Sequence, residues 1–413
     1  MIELIQSILA DPLGFSILVM LVLIAIIMLM VMYSIYFERK ISAWIQDRYG
    51  PNRVGFRGLL QPVADAVKFF VKEDFTPAGA DRPLFVLAPC VAFFVPLVIF
   101  AVIPWAGTLQ WPWSDRALPV QVASLDIGLL YILAFGSTGV YGVLLGGWAS
   151  YSKYSFFGGV RAAAQMLSYE VPMGLAIIVV VLTAGSLRLE EIVGVQITTT
   201  WNALLHPLAF ILFLISLFAE TNRLPFDMPE AEQELVGGYH TEYSSMKFAL
   251  FFLGEYVHMI VGSAFVVVLF LGGWQLVPFG GWLAEHVGWL AWLGWLDNSP
   301  HPLAAFLRLG ITLGKVCLLI FVFMWVRWSL PRFRFDQLLR LAWRGLVPPG
   351  LALVAVAGAL VYVDRALSWW APVLNLVVLL FVLMLVPRLG EPVTGRQVGL
   401  APVRVKPAAG SDS

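Results

Sequence analysis

The stretch 219–256, AETNRLPFDMPEAEQELVGGYHTEYSSMKFALFFLGEY, carries six carboxylates within 23 residues: Glu220, Asp227, Glu230, Glu232, Glu234 and Glu242. Arg223 is the one Lys or Arg among them. The cluster lies between two apolar runs, Leu204–Phe218 and Phe248–Leu271, and the second run holds a further acid, Glu255. Ionisable groups at or inside a bilayer are expensive to place, so acids at this density between two spans mark a functional site. Proton handling or cation handling is the chemistry expected of it.

The rest of the chain supports a membrane setting. It is 413 residues long, 60% hydrophobic and 13% charged, with a mean hydropathy of +0.84. That composition excludes a soluble domain and fits an all-α polytopic membrane protein. A helix needs about 20 apolar residues to cross the hydrocarbon core. Nine runs qualify as spans: Leu13–Phe37, Leu84–Pro104, Ile127–Gly147, Ala162–Ala184, Leu204–Phe218 extended into the acidic stretch, Phe248–Leu271, Leu303–Val326, Leu346–Val363 and Trp370–Val386. The first is longer than a signal-peptide core and lacks a basic leader, so it is expected to be retained. Residues 1–387 read as a single membrane domain and 388–413 as a polar, flexible cytoplasmic tail rich in Pro and Gly.

The segments 38–82, 148–161, 220–247, 327–345 and 388–413 hold 21 of the 26 Lys and Arg residues. All five fall on one side of a nine-span zigzag, which the positive-inside rule makes cytoplasmic, with the amino terminus outside. Eleven of 16 Trp residues, from Trp105 to Trp370, fall at the other interface, where an aromatic belt is expected. The Trp- and Gly-rich stretch 273–302 reads as a re-entrant or interfacial covering. A formal net charge of zero argues against a nucleic-acid partner. Cys90 and Cys317 read as small buried hydrophobes, and the five scattered His residues show no metal-ligand spacing.

Two charged segments have helical periodicity. In Gly58–Glu73, Gln61, Asp65, Lys68 and Lys72 form one polar stripe opposite Val63, Val67 and Phe70. In Phe333–Arg344, Arg334, Gln337, Arg340 and Arg344 do the same. Each alone is a membrane-surface helix with a solvated face; together they argue for a shared docking surface or a common cavity. Depth supports the cavity. Glu170 lies eight residues into the fourth span and Glu255 seven into the sixth, roughly 10–12 Å at 1.5 Å per residue. Both enter from the same side, so the two acids share a layer that Glu220 reaches from the fifth span. Pro172 follows Glu170 closely, and Pro225 and Pro229 bracket Asp227, so backbone breaks are expected there. Non-helical backbone at this depth lines a cavity or is buried in protein. Trp44 and Phe226 are candidates to line a passage for a flat hydrophobic molecule.

ERKISAWIQDRYGPNRVGFRGLLQPVADAVKFFVKED (38–74) resembles the first signature of the H-subunit family of NADH:quinone oxidoreductase, respiratory complex I (subunit 1 in mitochondria). The stretch 219–256 is similar to its second signature. GWASYSKYSFFGGVRAAAQMLSYEVP (147–172) and WVRWSLPRFRFDQLLRLAWR (325–344) extend the likeness, which spans about residues 10–390. The resemblance implies a membrane-arm subunit at the junction with the peripheral arm. It also implies a quinone-access tunnel with Glu38, Arg39, Trp44, Asp65, Phe226 and Asp227 in its walls. A proton relay through Asp65, Glu170, Glu220, Asp227, Glu230, Glu232, Glu234, Glu242 and Glu255 would lead inward from it. It implies no catalytic residue and no metal on this chain itself. Quinone, ubiquinone or menaquinone, would be the substrate, with FMN and iron–sulfur clusters on partner subunits. The partners implied are peripheral quinone-site subunits, small membrane-arm subunits and lipids of a bacterial inner membrane. The alternatives are the homologous subunit of a membrane-bound hydrogenase or of a ferredoxin- or F420H2-linked complex, an independent ion transporter, and a passive scaffold.

Overall fold

The structure, a computed structural model, describes residues 11–110, 117–229, 236–363 and 371–389. Glu230, Glu232, Glu234 and the tail 390–413 lie outside the described residues. Each of the nine apolar runs coincides with a helix. Among the described residues, seven helices are long and apolar enough to cross a membrane. The apolar helices Pro207–Glu220 and Ala371–Leu380 are shorter. The protein is an all-α polytopic membrane protein.

The helices are α1 Pro12–Ile45, α2 Gln61–Val71, α3 Arg82–Ile99, α4 Gly128–Ala149, α5 Lys153–Ala184, α6 Leu189–Thr198, α7 Asn202–Leu205 and α8 Pro207–Glu220. They continue with α9 Ser245–Phe270, α10 Gly280–His286, α11 Ala291–Asn298, α12 Pro302–Ser329, α13 Phe335–Arg340, α14 Val347–Val363 and α15 Ala371–Leu389. Between α3 and α4, β1 Thr108–Gln110 pairs antiparallel with β2 Ala117–Pro119, Leu109 opposite Leu118.

Helix α9 is the axis of the bundle and packs on α1, α3 and α12. Its residues from Met259 to Phe270 are buried throughout. A helix enclosed on all sides needs no polar face, which is why this stretch shows no amphipathic pattern. Small residues permit the close approaches. A Cβ at Gly254 would sit 2.8 Å from the Ala92 carbonyl oxygen, and one at Gly142 would sit 2.8 Å from the Ala92 nitrogen. Both glycines are therefore fixed by helix contact, as at many membrane helix interfaces.

Several expectations are corrected. Helix α5 runs unbroken through Pro172: the ring removes one bond, to the Ser168 carbonyl, and the enclosing helices hold the remainder. The segment Phe333–Arg344 is not a separate surface helix. It starts at Phe335 and continues to Val363 through a π-helical turn, Leu341–Leu346. Pro348 and Pro349 lack the N–H groups that Arg344 and Gly345 carbonyls would accept, and a π turn absorbs such a register mismatch. Helix α2 is shorter than Gly58–Glu73 because Arg57 and Gly58, at φ 52° and 86°, form a turn before it. Of its polar stripe, Gln61 and Asp65 are partly buried while Lys68 and Lys72 are exposed, and on the other side Val67 and Phe70 are exposed too. Cys317 is exposed, on the same outward surface of α12 as Leu318 and Phe321. Trp105 and Trp274 are buried, whereas Trp282, Trp289, Trp292 and Trp295 are exposed.

Candidate functional site

The chain leaves α8 at Glu220 and crosses residues 221–229 without regular structure; a 3-10 turn, Gly238–His240, precedes α9. This non-helical segment is buried: Thr221, Arg223, Phe226 and Asp227 are all under 9% exposed. Gln165 on α5 pins it, donating from Nε2 to the carbonyls of Ala219 and Phe226, each at 2.7 Å, and to Asn222 Oδ1 at 3.2 Å. Buried backbone polar groups need partners, and one side-chain amide meets two such carbonyls here.

Glu38 stands beside this segment, near the end of the long α1. It is 7% exposed, and Tyr256 Oη donates to its Oε2 at 2.5 Å. Arg327 from α12 bonds to Oε1, and Arg223 Nη1 lies 3.7 Å from the same oxygen. The Arg223 guanidinium is stacked 4.1 Å over the Tyr256 ring. Asp227 is paired with Arg332 at 2.7 Å. Buried carboxylates at this density stay tolerable because each faces a cation or a donor.

From Glu38 the acids run two ways. On the next residue of α1, Arg39 Nη1 holds Asp65 Oδ2 at 2.6 Å, and Gln61 Nε2 donates to Asp65 Oδ1 at 3.1 Å. Both Arg39 and Asp65 belong to the wall of a cavity of about 440 Å³ between α1, α2 and α9. The remaining wall is mostly apolar, with Met28, Ile35, Phe69, Phe248 and Phe252.

In the other direction Glu255 accepts from Tyr239 Oη at 3.2 Å. It shares a cavity of about 30 Å³ with Glu220 and His258. Glu220 lies 3.7 Å from His258 Nε2. The same two residues line a second cavity of about 30 Å³ with Glu170. Ser137 Oγ lies between Glu170 Oε1 and the Leu133 carbonyl, the latter at 2.9 Å, so its single O–H serves one or the other. Each small cavity has room for a water, and each is lined by several polar groups able to hold one.

The structure therefore brings Glu38, Arg39, Asp65 and Asp227 to one end of a line, and Glu255, Glu220 and Glu170 to the other. Trp44 is 68% exposed at the end of α1 and lies outside the large cavity's wall. Phe226 packs between Tyr169 and Phe333, at 5.3 and 5.5 Å, also away from that wall. Glu242 is partly buried in the turn before α9, next to Tyr243, whose ring stacks 4.0 Å from Phe85. In the same turn burial lowers His240 to about 4, so its ring is neutral. Among the described residues no three His, Cys, Asp or Glu side chains gather as a metal site needs.

The reading from sequence missed Arg327, Arg332, Tyr256, Tyr239, His258 and Ser137. One signal was available. Glu255, Tyr256 and His258 are neighbours on one helix, and polar groups so close together inside a span face partners.

A family model described as NADH dehydrogenase matches residues 18–358. The H subunit of NADH-quinone oxidoreductase from Flavobacterium psychrophilum is 48% identical over 334 residues, covering 81% of this chain and 93% of that protein. The chain belongs to the H-subunit family of NADH-quinone oxidoreductase. The H subunit from Syntrophotalea carbinolica is 49% identical over 327 residues, covering 79% of this chain and 90% of that protein. For the H subunit from Rhodospirillum rubrum the figures are 46% over 358 residues, 84% and 96%. These relatives are, by their names, parts of an oxidoreductase complex, and the family match takes in the whole line of acids from Glu38 to Glu255.

Proposed function

We propose that this chain is the membrane subunit of a proton-pumping NADH:quinone oxidoreductase that forms the quinone-access passage and relays charge from it into the membrane. The charged face is cytoplasmic and the amino terminus outside, as the Lys and Arg asymmetry indicates, and the bacterial relatives support a bacterial inner membrane. Residues 1–387 act as one membrane domain. Peripheral subunits carrying FMN and iron–sulfur clusters dock on the charged face and deliver the electrons.

One observation carries this reading. The Arg39–Asp65 pair in the wall of the apolar 440 Å³ cavity and the buried Glu38 cluster start from adjacent residues of one helix. The volume lies within the roughly 300–1,000 Å³ range of small-molecule sites, and the apolar wall with one polar pair suits a greasy tail bearing a polar ring. Two-electron reduction of a quinone builds negative charge until two protons arrive. At 4 Å and an effective dielectric of 20, a unit charge changes a neighbour's energy by about 4 kcal/mol. Moving one charge against 100 mV needs about 2.3 kcal/mol, so the two are comparable. A reduced quinone beside Arg39 competes with Asp65 and Glu38 for their cations. The disturbance then passes through Arg223 and Asp227 to Glu255, Glu220 and Glu170. The described residues 220–229 and 236–242 shift with quinone state; Glu230, Glu232 and Glu234 are the further acids of the relay.

Glu220→Gln and Glu255→Gln test this. Both are expected to depress NADH-to-quinone turnover in the assembled complex while NADH oxidation by a soluble artificial acceptor stays intact. Wild-type quinone activity in both variants would refute the relay.

A further inference from the structure

Arg308 and Lys315 on α12, at the end of the bundle opposite the acid line, donate to backbone carbonyls and act on the buried Asp297. At the charged face Arg327 and Arg332 hold Glu38 and Asp227. Three arginines just beyond them differ. Arg334, Arg340 and Arg344 are exposed. Arg340 pairs with Asp336 at 2.8 Å, and both side chains are more than half exposed. The side chains of Arg334 and Arg344 make no ion pair among the described residues.

These arginines stand where a charged segment becomes a span. The helix that begins at Phe335 runs through the π turn into α14 without a break. Its first turns are pinned to α5: Tyr169 Oη donates to the Leu338 carbonyl at 3.0 Å, and Trp343 Nε1 to Ser168 Oγ at 3.3 Å. Residues four apart are neighbours on one helix face, with about 5–6 Å between Cβ atoms. Arg340 and Arg344 therefore stand one above the other, close enough to grip one phosphate. The face below them stays open: Trp343 is 54% exposed, Pro348 is exposed and Leu351 is 57% exposed. Leu351 is seven residues past Arg344, roughly 10 Å deeper at 1.5 Å per residue. Cations at the surface with apolar side chains at depth match the two parts of a phospholipid.

We propose that Arg340 and Arg344, with Arg334 beside them, bind the phosphate of an anionic phospholipid whose acyl chains lie along Trp343, Pro348 and Leu351. A guanidinium suits phosphate because its paired N–H donors meet two oxygens at once. Asp336 does not block the site, since an exposed pair with Arg340 is weak and a phosphate replaces it. The positive sign and the Trp at the boundary both fit the anionic leaflet that basic cytoplasmic segments face. A soluble partner could neutralise the arginines but could not reach Leu351. The same segment supplies Arg332 to Asp227, so a lipid seated here also steadies one partner of the acid line. The site lies outside the quinone passage, and its test is read without turnover.

The test places the assembled complex in phosphatidylcholine nanodiscs with a trace of photoactivatable phosphatidylglycerol, its photoreactive group on an acyl chain. Illumination is expected to label the peptide that contains Leu351, and a phosphatidylcholine probe of the same build is expected to label it several-fold less. Equal labelling by the two probes overturns the proposal, and that comparison needs no variant. Each basic residue near an anionic surface is worth about fivefold in binding. Labelling by the phosphatidylglycerol probe should therefore fall tenfold or more in the double variant Arg340→Gln, Arg344→Gln, while labelling by the phosphatidylcholine probe stays as it was. Unchanged labelling overturns the site. So does loss of another subunit from the double variant on a native gel, which would mean that the arginines meet protein instead of lipid. In a density map of the unmodified complex, a phosphate peak within hydrogen-bond distance of both guanidinium groups supports the site, and a neighbouring subunit's side chains at that place sink it.

Discussion

The two ends of α9 solve the same problem, buried charge, in opposite ways. At the charged face the acids are held by side chains: Glu38 by Tyr256 and Arg327, Asp227 by Arg332, Asp65 by Arg39. At the other end the cations are held by backbone, with seven carbonyl bonds from Arg308 and Lys315. A side-chain pair can exchange partners by a rotamer change, whereas a carbonyl cannot turn away without moving the chain. The first arrangement is suited to relaying charge and the second to fixing a structure.

Two substitutions put this contrast at risk. Arg308→Met strips four carbonyls of a buried donor and leaves Asp297 facing Lys315 alone. Breaking a buried charged group's partnership costs about 3–5 kcal/mol, so loss of intact complex on a native gel is expected. Arg327→Met is milder. Glu38 keeps Tyr256 and Arg223, so the complex assembles, but a charged hydrogen bond of roughly 1.5–3 kcal/mol is lost. If the relay depends on it, quinone turnover falls about tenfold or more, since ~1.4 kcal/mol is a factor of ten in rate. A normal yield with Arg308→Met, or failed assembly with Arg327→Met, would invert the comparison.

How much of this was legible follows from the same contrast. The apolar runs, the non-helical stretch bracketed by Pro225 and Pro229, and the gathering of Glu170 and Glu255 about Glu220 could be read because each depends on local chain geometry. Helical rise converts residue counts to depth, and Pro restricts its own backbone. Which cation meets which acid could not be read. Arg327 is 289 residues from Glu38, and Arg332 is 105 from Asp227. Pairing at that separation is fixed by the packing of α1, α9 and α12. Trp44 and Phe226 fail for another reason: an aromatic residue type carries no direction, and one faces out while the other is enclosed. The partner of Lys315 was invisible because it is three carbonyls, which every residue possesses.

The smallest expected effect separates the two ends by sign. His240, in the turn before α9, packs edge-on against Tyr239 and Phe248, and burial lowers it from 6.5 to about 4. A base with a depressed folded value gives stability that is complete above 6.5 and lost as pH falls toward 4. Asp297 is the converse, raised from 3.8 to about 6 by burial. Its contribution is complete below 3.8 and lost as pH rises through 6. Lowering the pH from about 7 to about 5 therefore loosens the turn 236–244 and tightens the segment 276–301. Hydrogen exchange on the assembled complex reads both at once, after correction for the intrinsic pH dependence of exchange. Protection should fall in the first peptide and rise in the second, and Asp297→Asn should abolish only the rise. Parallel changes in the two peptides would mean that the bundle responds to acid as one body, and the division drawn from its hydrogen bonds would not extend to its energetics.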